Sequence, residues 1–124
     1  MLSWPAQVRI YWCVAPTDMR KSFDGLSGLV AAVFERTLLD GDLFLFLNKR
    51  RDRVKLLYWD RDGIAIWAKR LESGTFETPR VDAQQKHLEL DATELAMLLS
   101  GVSLSTVKRR KRYTPAASAV SSRS

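Results

Sequence analysis

The sequence is poor in the side chains that close disulfides or hold metal ions. Its 124 residues include one cysteine, Cys13, and one histidine, His87. A single cysteine excludes an intramolecular disulfide framework, and the two residues together cannot supply the three or four nitrogen and sulfur ligands of an ordinary zinc site. We therefore expect no cofactor and no bound metal. A site made of carboxylates alone is the one kind that composition leaves open.

Long apolar runs are also missing. Runs such as residues 28–34 and 43–47 are far shorter than the ~20 apolar residues that a membrane-spanning helix needs. Residues 1–6 lack the basic start and the apolar stretch of a secretory signal. The sequence therefore predicts a cytoplasmic protein that makes no contact with a membrane.

Positive charge is unevenly distributed along the chain. The net charge is +6, from 20 basic and 14 acidic residues, and residues 106–124 hold six of the basic residues and no acidic one. Residues 1–105 are therefore neutral on balance. Residues beyond 113 offer few large apolar groups to offset the entropy of ordering them. We predict a single α+β domain over residues 1–105 and a flexible basic tail over residues 106–124.

Apolar periodicity predicts the elements of this domain. Alternating residues indicate a strand at 8–14, and helical spacing indicates a helix at 22–36. Three strands separated by two short loops follow at 43–48, 53–59 and 64–70, and a short strand is expected at 87–90. Asp91 and Glu94 have the spacing of a capping box, which predicts a helix over 91–100. The predicted fold class is α+β, with an antiparallel meander of four to five strands, one helix packed on a face and a C-terminal helix.

Symmetric closure of the two loops predicts the register of the meander. Asn48 then faces Arg53, and Trp59 faces Ile64, which sorts the side chains onto two faces. We expect the helix at 22–36 to cover one face, which consists of Leu43, Leu45, Leu47, Val54, Leu56, Tyr58, Ala65 and Trp67, with Lys69 at its end. The other face, which is either half covered or a binding surface, carries Phe44, Phe46, Leu57, Trp59, Ile64 and Ile66 around Asn48, Arg53, Lys55 and Arg70.

Two clusters of cations are candidates for contact with nucleic acid. The first is the loop at residues 49–53 together with Lys55, and the second is the run at residues 108–112. Cations on a projecting hairpin can contact phosphates whatever the base sequence, although a solvated turn and a solubilising tail explain the same charges. Aromatic residues beside the loop suit either base stacking or, as we favour, a second packing layer.

No arrangement of residues indicates catalysis. Asp60 and Asp62 fit a turn, Asp18 and Asp24 fit a helix start, and His87 has no nucleophile in a recognisable motif. Glycine-rich phosphate-binding loops are absent from the sequence. The residues therefore predict a protein that is not an enzyme.

Four segments together resemble a known family. They are PTDMRKSFDGL at 16–26, DLFLFLNKRRDRVKLLYWDRDG at 42–63, WAKRLESGTF at 67–76 and LAMLLSGV at 95–102. The chain resembles the small accessory protein that the second reading frame of insertion sequence 66-type elements encodes. Ser22 stands where the family usually has glycine. The resemblance implies a bacterial protein that assists transposition beside a separate transposase, in a family without an established catalytic activity.

The sequence thus predicts a non-enzymatic accessory protein that contacts the ends of the element's DNA. The alternative is a module that binds the transposase or another accessory subunit without touching DNA, and self-association is left open. The residues predicted to bind nucleic acid are Arg20, Lys21, Asn48, Lys49, Arg50, Arg51, Arg53, Lys55, Lys69, Arg70, Lys108, Arg109, Arg110, Lys111 and Arg112. The residues predicted to bind a protein partner are Phe44, Phe46, Trp59 and Ile66.

Overall fold

The computed structural model describes residues 8–100, which fold into five strands and two helices around one sheet. The first helix continues without a break into a wider, π-helical segment, and a short 3-10 turn follows it. The predicted domain boundary and the tail at 106–124, including Lys108–Arg112, lie outside the described residues. In chain order the elements are β1 (Ile10–Cys13), α1 (Phe23–Leu29), the π-helical segment (Val30–Phe34), the 3-10 turn (Leu38–Asp40), β2 (Leu43–Leu47), β3 (Arg53–Asp60), β4 (Gly63–Arg70), β5 (His87–Leu90) and α2 (Ala92–Leu99).

The strands form one mixed sheet in the order β4-β3-β2-β1-β5. The meander β2-β3-β4 is antiparallel, and its register is the predicted one: Leu47 pairs with Val54, which places Asn48 opposite Arg53, and Trp59 pairs with Ile64. The α+β class is confirmed. The expectation of a purely antiparallel sheet is corrected, because β1 lies parallel to β2 and α1 connects them.

The sheet is covered on both faces. Helix α2 and Phe76 cover the leucine face of β2 and β3, whereas α1 and the π-helical segment cover the face that carries Phe44 and Phe46. The prediction that the helix at 22–36 covers the leucine face is therefore wrong. A crossover between parallel strands takes one hand in nearly all proteins, so the strand order sets the face that the crossover helix covers.

The two helices begin in different ways. At α2 the Glu94 amide donates to the Asp91 carboxylate at 2.7 Å and the Asp91 amide donates to the Glu94 carboxylate at 2.9 Å, which confirms the predicted capping box. Helix α1 follows Ser22, whose side chain makes no capping hydrogen bond, and its π-helical continuation ends at Glu35 in the left-handed region with φ 55°. No helix within residues 8–100 is long and apolar enough to cross a membrane.

Candidate nucleic-acid interface

The connection between β2 and β3, residues 48–52, together with Arg53 at the start of β3, forms a basic loop that Asn48 holds in shape. The Asn48 side-chain amide donates to the Asp52 carboxylate at 2.7 Å, and its carbonyl oxygen accepts from the backbone amides of Asp52 and Arg53, each at 3.0 Å. The Arg51 amide donates to the Asn48 carbonyl at 3.0 Å. Because all of Asn48's polar groups serve the turn, its role in this structure is to shape the loop.

A second segment fixes the basic loop from outside. The Leu71 amide donates to the Asp52 carbonyl at 2.8 Å, and the Phe76 amide donates to the Arg51 carbonyl at 2.7 Å. Phe76 is 1% exposed and packs in the core beneath α2. These bonds tie the loop backbone to the core, so its side chains project from a fixed frame.

The cations of the basic loop point to solvent. Lys49, Arg50 and Arg51 are exposed at the tip, and Arg53 is exposed where β3 begins. Of the three ion pairs found within residues 8–100, none includes any of these four cations. The hydrogen bond from Asn48, helped by the charges of Arg50 and Arg53, lowers the pKa of Asp52, which keeps one carboxylate ionised in the loop.

Beside the loop, the ends of β3 and β4 form an open groove of about 480 Å³, which we name the basic groove. Arg53 pairs directly with Arg70 across the two strands. Like charges in directly opposite positions repel one another, so an anion between them would stabilise this end of the sheet. The groove is lined by Met19, Arg53, Val54, Lys55, Ala68, Lys69, Arg70 and Glu72.

Two lysines of the groove already bind backbone carbonyls. The Lys55 ammonium donates to the carbonyls of Met19 at 2.9 Å and Lys21 at 2.8 Å, which fastens the segment before α1 to the sheet. The Lys69 ammonium donates to the carbonyl of Leu99, at the C-terminal end of α2, at 2.8 Å. A cation is favourable at a helix C-terminus. Both lysines therefore have a structural role. Lys55 shares a face of the sheet with Arg53 and Arg70, whereas Lys69 directs its charge to the opposite face, toward α2.

The remaining cations that were predicted to bind nucleic acid differ in whether they form ion pairs with acidic side chains. Arg20 makes a close pair with Asp18 at 2.7 Å, and these hydrogen bonds lower the pKa of Asp18 to about 2. Arg70 pairs with Glu72 at 3.1 Å, with both side chains largely exposed. Lys21 is exposed on the segment that Lys55 fastens. Within residues 8–100, the predicted cations outside ion pairs therefore include those of the loop tip and Arg53, whereas Arg20 and Arg70 are each paired with an acid.

The residues predicted from the sequence to bind nucleic acid do not include four that line the groove, Met19, Val54, Ala68 and Glu72. Of these, neither Met19 nor Glu72 belongs to the charged meander from which the site was predicted. Glu72 lies two residues after Arg70, a spacing from which this ion pair could have been anticipated. No sequence signal pointed to Met19, because its position depends on a tertiary contact with Lys55.

A model of a known protein family, described as IS66 Orf2 like protein, matches residues 8–109, which include the basic loop and the basic groove. The chain belongs to this family. Two uncharacterized proteins of Sinorhizobium fredii are similar to it. One, y4jC, is 38% identical over 111 residues, which cover 87% of this chain and 91% of that protein; the other, y4hO, is 32% identical over 102 residues, which cover 82% and 87%. No solved structure matches the chain.

Membership of the IS66 Orf2-like family points to an accessory role in transposition and to a non-catalytic one. Within residues 8–100 no group of three or more histidine, cysteine, aspartate or glutamate side chains is placed to hold a metal ion. What the fold of this family member does bring together is a set of cationic side chains, in the basic loop and the basic groove.

The aromatic face is a core layer in this family member. Phe44 and Phe46 are both 0% exposed beneath α1 and the π-helical segment, so the expectation that they bind a protein partner is corrected. Their rings pack around Phe34, at centroid distances of 5.0 and 6.0 Å. Trp59 and Ile66 lie at the margin of this layer and keep partial exposure.

Proposed function

We propose that this chain is a non-enzymatic accessory protein of a bacterial insertion sequence that binds DNA phosphates through the basic loop and the basic groove. The observation that supports the proposal best is the loop tip, where Lys49, Arg50 and Arg51 are exposed and enter none of the ion pairs of the described residues. Contact with phosphates needs only such cations, which position a protein on DNA without reading its sequence.

The fixed backbone of the loop favours binding. Asn48, Leu71 and Phe76 hold its amides and carbonyls through hydrogen bonds of 2.7–3.0 Å. A loop that is already ordered loses less conformational entropy when it docks, so more of the electrostatic attraction contributes to affinity. Only the side chains of the cations have to be ordered on the DNA.

The basic groove extends this surface along the sheet. Arg53 and Arg70 face one another there, while Lys55 adds positive charge on the same face of the sheet. A phosphate between the two arginines would accept hydrogen bonds from both guanidinium groups and would reduce their mutual repulsion. The loop and the groove together offer a continuous path for a phosphate backbone.

The predicted run of cations at residues 108–112 would add binding that is blind to sequence. Its five adjacent positive charges favour a polyanion such as DNA. In this proposal the domain fixes the orientation on the DNA, the tail raises the affinity, and the ends of the element or the bound transposase are what the protein helps to place.

Arg51 and Arg61 provide a matched test. Both are arginines in the left-handed region with φ 59°, and they occupy the loops at opposite ends of β3, roughly 25 Å apart at the rise of a strand. Substitution of either by glycine removes one charge and suits the backbone. We expect Arg51→Gly in the full chain to weaken binding of a fluorescent duplex and to lower the slope of log affinity against log salt by about 1, and Arg61→Gly to leave both unchanged.

Two outcomes would contradict the proposal. The first is an equal effect of the two variants. The second is unchanged affinity when Arg50, Arg51 and Arg53 are reversed in charge and residues 108–112 are neutralised in the same full chain. If DNA binding is absent and the transposase is captured instead, with capture lost on Trp59→Ala, the partner-binding alternative replaces it. Comparison of element-end and random duplexes reports whether any base sequence is preferred.

A further inference from the structure

Strand β4 ends the sheet, and no strand within residues 8–100 pairs with its outer edge. The direction of its backbone groups follows from the hairpin with β3. Leu71 donates across to Asp52, so residue 71 points its amide toward the neighbouring strand, and this direction alternates along the chain. The amides and carbonyls of Ile64, Ile66, Ala68 and Arg70 therefore point outward from the sheet.

This edge lacks most of the features that keep sheet edges from pairing. Natural edges are protected by prolines, bulges, short strands or charged side chains along the strand. Strand β4 is eight residues long, its register with β3 is unbroken, and residues 64–68 carry no charge and no proline. Ile64, Ile66 and Trp67 keep partial exposure. Charged residues occur only at the ends of β4: Asp62 lies just before the strand, and Lys69 and Arg70 are its last two residues.

We propose that two copies of this chain join through β4, antiparallel, to form one continuous ten-stranded sheet. The symmetry of such a pair restricts its register. A twofold axis perpendicular to the sheet leaves the same face of both copies on the same side of the joined sheet. Two residues that pair across the axis must therefore lie on the same face. Because side chains alternate along a strand, this requires their two residue numbers to sum to an even value. The outward groups of residues 64, 66, 68 and 70 satisfy this condition when they pair with one another.

Charge selects one register among those that remain. Pairing Ile66 with its own copy places Asp62 opposite Arg70 at both ends of the ribbon, with Ile64 opposite Ala68. A shift by two residues one way brings Asp62 against Glu72, and a shift the other way sets Asp62 against the uncharged Ala68, so neither keeps the pair of Asp62 with Arg70. Like charges directly opposite one another destabilise a sheet and unlike charges stabilise it, so the register centred on Ile66 is favoured.

The proposal goes beyond DNA binding and does not rest on it. It has one geometric consequence for the basic groove. With Ile66 at the centre, the two copies of Arg70 lie eight residues apart along the ribbon, roughly 27 Å, on the same face of the joined sheet. The dimer would present both grooves to one side.

Sedimentation of the full chain over a range of concentrations tests the association. We expect a monomer–dimer equilibrium that Ala68→Pro abolishes, because proline removes an outward amide while sparing the bonds to β3. Ala68→Thr keeps the amide and should still dimerise, which makes it the matched control. Circular dichroism of each variant checks that the domain is folded. A wild-type chain that stays monomeric at its highest soluble concentration overturns the proposal, as does a dimer that survives Ala68→Pro in a folded chain.

Single cysteines identify the register. Ile66→Cys places two thiols directly opposite one another at the ~5.5 Å Cα separation that a disulfide accepts, whereas Ala68→Cys and Trp67→Cys do not meet their own copies in this register. Burial raises the pKa of the Cys13 thiol, so this thiol stays protonated and out of reach. We expect mild oxidation to link Ile66→Cys alone. Linking through Trp67→Cys instead would overturn the proposed register.

Exchanging the charges of Asp62 and Arg70 tests whether these two residues face one another at the ends of the two joined β4 strands. Arg70→Asp should weaken the dimer by bringing two acids together, and adding Asp62→Arg should restore it. Sedimentation is the readout, since Arg70 also lines the basic groove and DNA affinity would mix the two effects. A dimer without DNA affinity refutes only the proposed function, and DNA affinity in a monomer refutes only the dimer. If the double variant dimerises no better than the single one, the register centred on Ile66 is wrong.

Discussion

The two faces of the sheet are covered by helices that are stabilised differently: α2 by residues close to it in sequence and α1 by residues far from it in sequence. Helix α2, on the leucine face, begins with a reciprocal capping box and ends where Lys69 binds the Leu99 carbonyl. Helix α1, on the aromatic face, has no side-chain cap at Ser22, widens into a π-helical segment and stops at left-handed Glu35. What secures α1 is the bond pair from Lys55 and the packing of Phe44 and Phe46 beneath it.

This difference separates local from long-range stabilisation. The signals for α2 lie within four consecutive residues, so they act in any part of a chain. The helix at α1 is stabilised by residues about 20 to 35 positions further along, which meet it only when the sheet has formed. Helical stability in proteins comes mostly from such packing of an apolar face, and α1 is the clearer case here.

The largest expected effect on the free energy of unfolding comes from removing the phenyl ring of Phe46, which packs beneath α1 and the π-helical segment. Phe46→Ala should lower the free energy of unfolding by about 3–5 kcal/mol, since a fully buried phenylalanine loses its transfer free energy and leaves a cavity. Phe23, 46% exposed on α1 itself, is the control, and Phe23→Ala should cost under about 1 kcal/mol. Urea unfolding measures both. Equal costs would mean that the aromatic face is not a core layer.

Next come the lysines that fasten each helical layer to the sheet. Lys55→Met leaves two carbonyls without their donor and should cost about 1–3 kcal/mol, whereas Lys69→Met loses one bond and should cost about 1 kcal/mol. Lys49→Met at the exposed loop tip is the control and should be near neutral. Chemical denaturation ranks the three. A cost of Lys55→Met no larger than that of the control would show that packing alone holds α1.

Smaller effects on stability are expected at the N-terminal ends of the two helices, and substitutions at these two ends can be compared directly. Asp91→Ala removes a side chain that accepts from the Glu94 amide, and we expect it to cost about 1 kcal/mol. Ser22→Ala removes a side chain that makes no cap bond and should change stability by less than about 0.5 kcal/mol. Thermal unfolding followed by circular dichroism compares them. Reversal of the order would contradict the distinction between the two helices.

The smallest effect is a dependence on acid pH near the start of α1. Hydrogen bonds from Arg20 lower the pKa of Asp18 to about 2, below the ~3.9 of an unfolded aspartate. The folded state therefore binds this proton less readily than the unfolded state. The contribution of Asp18 is present above pH ~4 and is lost as the pH falls toward 2. Carboxyl titration by NMR should show the depressed pKa, and Arg20→Gln should raise it toward the ordinary range, although the bond from the backbone amide of residue 20 remains.

The basic loop shows how far sequence reasoning reaches a site. The register of the meander followed from two short loops, and with it came the placement of Arg53 opposite Arg70. The separate roles of the cations did not follow. Lys55 and Lys69 look like Lys49 in the sequence, yet their ammonium groups reach carbonyls 30 to 36 residues away. Such partners are set by the packing of distant segments, which composition and spacing do not encode.

The sequence by itself determined the elements that short-range patterns specify. Alternation and loop length gave the register of β2, β3 and β4, and the spacing of Asp91 and Glu94 gave the start of α2. Tertiary structure alone decided that β1 runs parallel to β2 and that α1 covers Phe44 and Phe46. The physical reason is that both faces of the meander are apolar enough to be buried. Which helix buries which face then depends on the order of the strands and the hand of the crossover, which are properties of the assembled chain.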